Sequence, residues 1–131
     1  MRKRIRKPAA FEERFIKSPL GISLGCTEAT HHAEKVAYTV DHIYTPDFTV
    51  RHPKSALHYE LKGFFKCDPS KYEWVRKVLQ KREMLEEIVL VFQNGNTYMP
   101  KSRKRKDGTR QTMNEWAEKH NFKFIDCKGL I

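Results

Sequence analysis

Residues 43 to 64 read Ile-Tyr-Thr-Pro-Asp-Phe-Thr-Val-Arg-His-Pro-Lys-Ser-Ala-Leu-His-Tyr-Glu-Leu-Lys-Gly-Phe. β-Branched and aromatic residues crowd Ile43 to Val50 and return from Leu57 to Phe64, with Pro53 between the two runs. Runs of this kind, separated by a turn residue, read as two strands of a hairpin. Side chains two apart in a strand share a face. Glu60 and Lys62 therefore point the same way, and Leu61 points into the core. If 43–50 pairs with 57–64, Asp47 is brought beside Glu60. Two carboxylates and an ammonium then converge at the exposed end of the hairpin.

On the upstream side, Phe11 to Lys17 places apolar residues at 11, 15 and 16, a short helical spacing. Pro19, Gly21 and Gly25 break that pattern. Residues 26 to 35 are polar and follow neither period, and Val36 to Val40 reads as a further strand. Downstream, Asp68-Pro69 marks an N-cap followed by proline at the first helical position. Trp74, Val75, Val78, Leu79 and Leu85 continue the helix to near Glu86. Ile88 to Phe92 is an unbroken apolar run, as in a strand buried on both faces. Asn94-Gly95 signals a turn. Thr112-x-x-Glu115 is a capping box that opens a short helix containing Trp116. Asn121 follows its end, and Phe122 to Phe124 alternates as a last strand. The order predicts an α/β fold with a mixed central sheet flanked by helices, in one domain spanning residues 1–131.

Lys and Arg number 26 against 16 Asp and Glu, a formal net charge of +10. A basic domain favours polyanions, of which nucleic acid is the commonest. The charge is clustered in an N-terminal arm, 1–10, and a loop, 101–110. Arg2, Lys3, Arg4, Arg6 and Lys7 form the first candidate phosphate contact. Lys101, Arg103, Lys104, Arg105, Lys106 and Arg110 form the second, with Lys119 beyond it. Cys26, Cys67 and Cys127 are odd in number and never spaced Cys-x-x-Cys, which argues against a disulfide framework or zinc ribbon. Free, partly buried thiols in a reducing compartment are expected. No apolar run approaches the roughly 18 residues of a membrane span, and no apolar segment follows the basic N-terminus as in a signal peptide. The expectation is a cytoplasmic protein with no membrane partner.

Two adjacent carboxylates repel unless a cation lies between them. Mg²⁺ suits carboxylates plus a substrate phosphate, with Mn²⁺ as a substitute. Such an ion polarises a scissile phosphate and acidifies bound water. Lys62, set among carboxylates, resists losing its proton. Its expected part is to orient the attacking water and offset developing charge, rather than to act as a base. The competing reading of Glu60 and Lys62 is an ordinary surface ion pair.

Tyr44-Thr45-Pro46-Asp47-Phe48 followed by Glu60-Leu61-Lys62-Gly63 resembles the bacteriophage endodeoxyribonuclease I family. These are Holliday-junction resolvases of the restriction-endonuclease-like superfamily, named for its Pro-Asp…Asp/Glu-x-Lys motif. Arg4-Ile5-Arg6-Lys7, Phe11-Glu12-Glu13-Arg14 and Glu115 to Phe124 resemble the family's flanking segments, so the likeness covers most of residues 4 to 126. The resemblance implies a restriction-endonuclease-like fold in an intertwined, segment-exchanged homodimer acting on branched double-stranded DNA. It implies that Asp47 and Glu60 bind metal, with the Leu61 carbonyl as a further ligand, and that Lys62 serves the attacking water. Glu12 would bind or position a second metal or water, with Glu13 the neighbour that competes for the role. In the family the glutamate comes from one chain and the other three residues from its partner. A phage-encoded enzyme of this kind would work in the cytoplasm of an infected bacterium.

Other residues invite readings of their own. His58 reads as a strand-surface histidine. His31-His32 with Cys26 matches no closed tetrahedral zinc set. Trp74 and Trp116 sit at helical spacing and read as core. Two other functions are open to the sequence: a nuclease of the same fold acting on nicked or linear duplex, and a non-catalytic basic nucleic-acid-binding domain.

Overall fold

The computed structural model describes residues 9–38, 42–66 and 69–130. The chain runs α1 (Ala10–Lys17), α2 (Pro19–Leu24), β1 (Val36–Ala37), β2 (Ile43–Tyr44), β3 (Phe48–His52), β4 (Ser55–Lys62), α3 (Ser70–Gln80), β5 (Leu85–Phe92), α4 (Met113–Lys119) and β6 (Lys123–Asp126). A four-stranded mixed sheet has the order β3-β4-β5-β6. Its β3–β4 pair is antiparallel, and the β4–β5 and β5–β6 pairs are parallel.

The central hairpin forms as expected, with His52 paired to Ser55 across the turn at Pro53-Lys54. The upstream strand is not continuous, however. Ile43 and Tyr44 pair with Ala37 and Val36 in a separate two-stranded ribbon, and β3 starts only at Phe48. Pro46 explains the interruption, because it has no N–H to give a ladder. The strand expected over Val36 to Val40 covers Val36 and Ala37, and Val40 lies outside the described residues.

Pro19 and Gly25 delimit a helix rather than break one. Pro19 lies in the first turn of α2, the Ser18 hydroxyl accepts from Gly21 N–H at 3.0 Å, and Gly25 closes the helix at φ 81°. A Cβ at Gly21 would lie 1.9 Å from the Phe15 carbonyl oxygen, so the tight joint between α1 and α2 requires glycine. The second correction concerns α3, which ends at Gln80 and not near Glu86. Leu85 opens β5 instead, whose eight residues pair with all of β4 from Ser55↔Leu85 to Lys62↔Phe92. Pairing along a whole strand outweighs one helically spaced leucine. Asp68, the expected N-cap, lies outside the described residues, and Pro69 occupies the cap position. The capping box at Thr112 and Glu115 forms as expected.

Both faces of the sheet are covered. Even-numbered Ile88, Leu90 and Phe92 pack with Tyr72, Val75 and Leu79 of α3 and with Met113 and Trp116 of α4. Odd-numbered Tyr59, Leu61, Val89 and Val91 pack with Phe15 of α1, beside Leu20 and Leu24 of α2. Burial of such side chains contributes roughly 1.5–3 kcal/mol each. Trp74 departs from expectation and is 54% exposed, because it lies off the 72-75-79 stripe; its ring faces Lys77 Nζ at 5.1 Å. His58 is another correction. Although in β4, it is 0% exposed, bonded to Thr49 Oγ1 and Glu86 Oε1, each at 2.9 Å. Among the described residues no helix is long and apolar enough to cross a membrane.

Candidate active site

The β3–β4 ladder stops at Phe48↔Tyr59. Asp47, the residue before β3, takes over where backbone pairing ends: its Oδ2 accepts from Leu61 N–H at 2.8 Å. A residue's N–H and C=O leave a strand by the same edge. Leu61 thus directs its carbonyl toward the Asp47 side. The Lys62 carbonyl leaves by the other edge and accepts from Gln93 N–H at 2.9 Å.

Glu60 is not at an exposed end, because α3 covers its face of the sheet, and it is only 6% exposed. Its Oε2 accepts from Tyr44 OH at 2.5 Å, and its Oε1 accepts from Tyr72 OH at 3.2 Å and faces Lys62 Nζ at 3.3 Å. These three donors fix the carboxylate. Burial, followed by the charge of Glu60, holds the Tyr44 hydroxyl well above the usual phenol range, so it remains a donor. Lys62 is partly exposed and also lies 5.6 Å from the Tyr72 ring centre.

α1 delivers Glu12. Phe15 anchors the helix in the core, which turns Glu12 inward and leaves Glu13 exposed. Of the two, Glu12 is the one that lines the cleft. Its Oε1 lies 2.7 Å from His31 Nε2 and 3.7 Å from His32 Nε2, and His32 Nε2 lies 3.4 Å from Asp47 Oδ1. One chain thus brings Glu12, Asp47, Glu60 and Lys62 to a single cleft of about 440 Å³, with His32 and Lys71 also in its wall.

The two histidines, which form no closed set with Cys26, gather instead around Glu12. Their segment lies along the start of β3: His31 bridges Phe48, His32 N–H donates to the Asp47 carbonyl at 2.7 Å, and Thr49 N–H donates to the Thr30 carbonyl at 3.1 Å. The only sequence signal was their adjacency. Cys26, their suggested companion, is instead in the core beside α1, where burial pushes its thiol up to about 12.

Burial, then Glu60, then Glu12 push the Asp47 carboxyl up to about 8, against the lowering effects of Leu61 N–H and Lys62. The Asp47 carboxylate is thus disfavoured first by its burial and then by the neighbouring charges of Glu60 and Glu12. Asp47, Glu60 and the Leu61 carbonyl offer only oxygen, the donor set that Mg²⁺ or Mn²⁺ accepts.

The basic residues lie elsewhere. Arg2, Lys3, Arg4, Arg6 and Lys7 are outside the described residues. Lys101, Arg103, Lys104, Arg105, Lys106 and Arg110 are exposed in the segment between β5 and α4, and Lys119 is exposed on α4. Arg105 pairs with Glu115 at 2.6 Å, and Arg110 donates to the Ser102 carbonyl at 2.6 Å. None of these described cations lines the cleft.

No protein-family model, curated protein or solved structure matches this chain.

Proposed function

We propose that this protein is a metal-dependent endodeoxyribonuclease that hydrolyses phosphodiester bonds in branched DNA. The observation that carries the reading is the position of Asp47 at the end of the hairpin ladder. There it is tied to Leu61 N–H and gathered with Glu60 and Glu12 in a cleft that Lys62 enters. The mixed sheet, with an antiparallel hairpin, parallel strands after it and helices on both faces, supports a restriction-endonuclease-like fold.

When bound, Mg²⁺ or Mn²⁺ would neutralise the carboxylates and polarise a phosphodiester. Asp47, Glu60 and the Leu61 carbonyl are the groups that would hold it, with Glu12 also lining the cleft. Tyr44 and Tyr72 fix the Glu60 carboxylate, so that it need not reorganise during the reaction. Lys62 donates hydrogen bonds to the attacking water and offsets charge on the pentacovalent phosphorus. Lys71, at the cleft wall, adds a second cation within reach of the phosphate backbone. The exposed basic residues supply salt-dependent, sequence-independent affinity, and DNA shape supplies selectivity. Resolution of a four-way junction takes two cuts, so the reading extends to a two-fold homodimer presenting two such clefts.

The test uses a labelled four-way junction and a linear duplex of equal length, each with and without Mg²⁺, with wild type beside Asp47→Asn. Paired, junction-selective, Mg²⁺-dependent cuts that disappear in the variant are expected. Equal cutting of both substrates would reduce the reading to a duplex nuclease. Tight binding without cleavage in any divalent metal would refute it.

A further inference from the structure

Two neighbouring side chains in an extended chain point to opposite sides. His31 and His32 do not. His32 has φ +49°, a left-handed conformation uncommon outside glycine. That turn brings the two imidazoles into a stack, with ring centres 3.9 Å apart and planes 18° from parallel. Both Nε2 atoms consequently face the same Glu12 oxygen. A conformation of this kind is strained for a residue with a side chain, and it persists only where its surroundings impose it. Here the His31–Phe48 bridge and the His32 bond to the Asp47 carbonyl do so.

Donor atoms of Glu12, His31 and His32 all lie within 4.8 Å of one another. Asp47 Oδ1 adds a fourth at 3.4 Å from His32 Nε2. Ligands about 2.0–2.1 Å from a shared tetrahedral ion stand roughly 3.4 Å apart. The separations in this cluster, 2.7, 3.4 and 3.7 Å, bracket that value. Imidazole is a poor ligand for Mg²⁺ but a good one for borderline first-row ions. We propose that Glu12, His31, His32 and Asp47 form a nitrogen-containing site for a divalent transition-metal ion of the Zn²⁺ or Co²⁺ type, beside the oxygen-only site at Asp47, Glu60 and Leu61. The inference rests on the nuclease reading only for its catalytic consequence, since Glu12 and Asp47 serve both. The site itself requires no DNA chemistry.

The test measures binding to tag-free, chelator-stripped full-length protein in the absence of DNA. Zn²⁺ and Mg²⁺ are titrated calorimetrically, and Co²⁺ is followed by its d–d absorption. His31→Gln and His32→Asn serve as variants, because Asn tolerates the left-handed backbone at position 32. Circular dichroism and urea unfolding establish that they fold. One Zn²⁺ per chain is expected, bound at least about 100-fold more tightly than Mg²⁺. Each variant should lose about 10–100-fold in Zn²⁺ affinity, together with the Co²⁺ absorption. Equal Zn²⁺ and Mg²⁺ affinity, Zn²⁺ binding untouched by both variants, or a thiolate-to-Co²⁺ charge-transfer band would overturn the proposal. Histidine-dependent Zn²⁺ binding in a protein that cuts no DNA would leave this site standing and remove the nuclease reading. Mg²⁺-dependent cutting with no tight Zn²⁺ site would do the reverse.

Discussion

Asp47→Asn should stabilise the metal-free protein at alkaline pH. Asp47 ionises near its ordinary 3.8 in the unfolded chain but only at about 8 in the folded one. A group whose folded value is raised weakens folding as pH climbs, because the unfolded chain gives up its proton first. The loss begins near pH 4 and is complete above pH 8. At about 1.4 kcal/mol per pH unit, the ceiling is about 6 kcal/mol. Water entry and movement of Lys62 raise the effective permittivity of the cleft, and about 2–3 kcal/mol is the expected share. The Asn side-chain oxygen keeps the bond from Leu61 N–H, so the substitution removes charge and little else. The assay is urea unfolding of both proteins in chelator at pH 3.5, 5 and 8.5, read as the difference between them so that other titrating groups cancel. The variant should match wild type at pH 3.5, below the ordinary value of 3.8, within about 1 kcal/mol, already exceed it at pH 5, and exceed it by the full share at pH 8.5. Mg²⁺ should then restore wild type and leave the variant nearly unchanged. A variant less stable than wild type at pH 8.5, or equal Mg²⁺ stabilisation of both, would refute the argument from burial and carboxylate repulsion.

Tyr44→Phe deletes a donor to the buried Glu60 carboxylate and should lower stability by about 1.5–3 kcal/mol in denaturant unfolding at neutral pH. Burial raises the Glu86 carboxyl, but bonds from His58 and Arg82 outweigh it and hold the group below its ordinary value. Its contribution is present above the unfolded value and lost as pH falls through the folded one, so Glu86→Gln should flatten the wild-type loss of stability on acidification below about pH 4.5. Trp116→Ala should cost about 3–5 kcal/mol and Trp74→Ala under about 1 kcal/mol, a contrast that thermal unfolding would expose. Chains carrying Glu12→Ala and Lys62→Ala, refolded together, should give no junction cleavage, since Glu12 and Lys62 meet within one chain. Restored nicking would mean that α1 crosses to the partner.

The hairpin was legible because one proline and two β-rich runs state it locally, and Glu60, Leu61 and Lys62 follow from strand alternation. The end of α3 was less so. Leu85 satisfies a helical period, and only the pairing partner β4, distant in sequence, assigns it to a strand. Burial of Glu60 and His58 had the same source: alternation tells which residues share a face but not that a helix covers it. Tyr44 and Tyr72 as donors to Glu60 carry no local signature, being 16 and 12 positions away. His31 and His32 were visible as a pair. Their relation to Glu12 depends on a left-handed residue and a bridge to Phe48, neither of which a propensity reading encodes.

The placement of charge bears on function more than its total. A chain of net charge +10 attracts phosphate through its outer surface whatever lies in its clefts. A protein that only bound nucleic acid would weaken itself by gathering Glu12, Asp47 and Glu60 where a backbone could approach, because each carboxylate repels it. The arrangement becomes favourable once cations stand between carboxylates and phosphate. On the proposed reading the cleft would then reverse sign, and Lys62, no longer offset by Glu60, would reinforce the ions together with Lys71. On the proposed reading, metal loading and close approach of a phosphodiester would be mutually dependent, as a hydrolytic site requires and a binding surface does not.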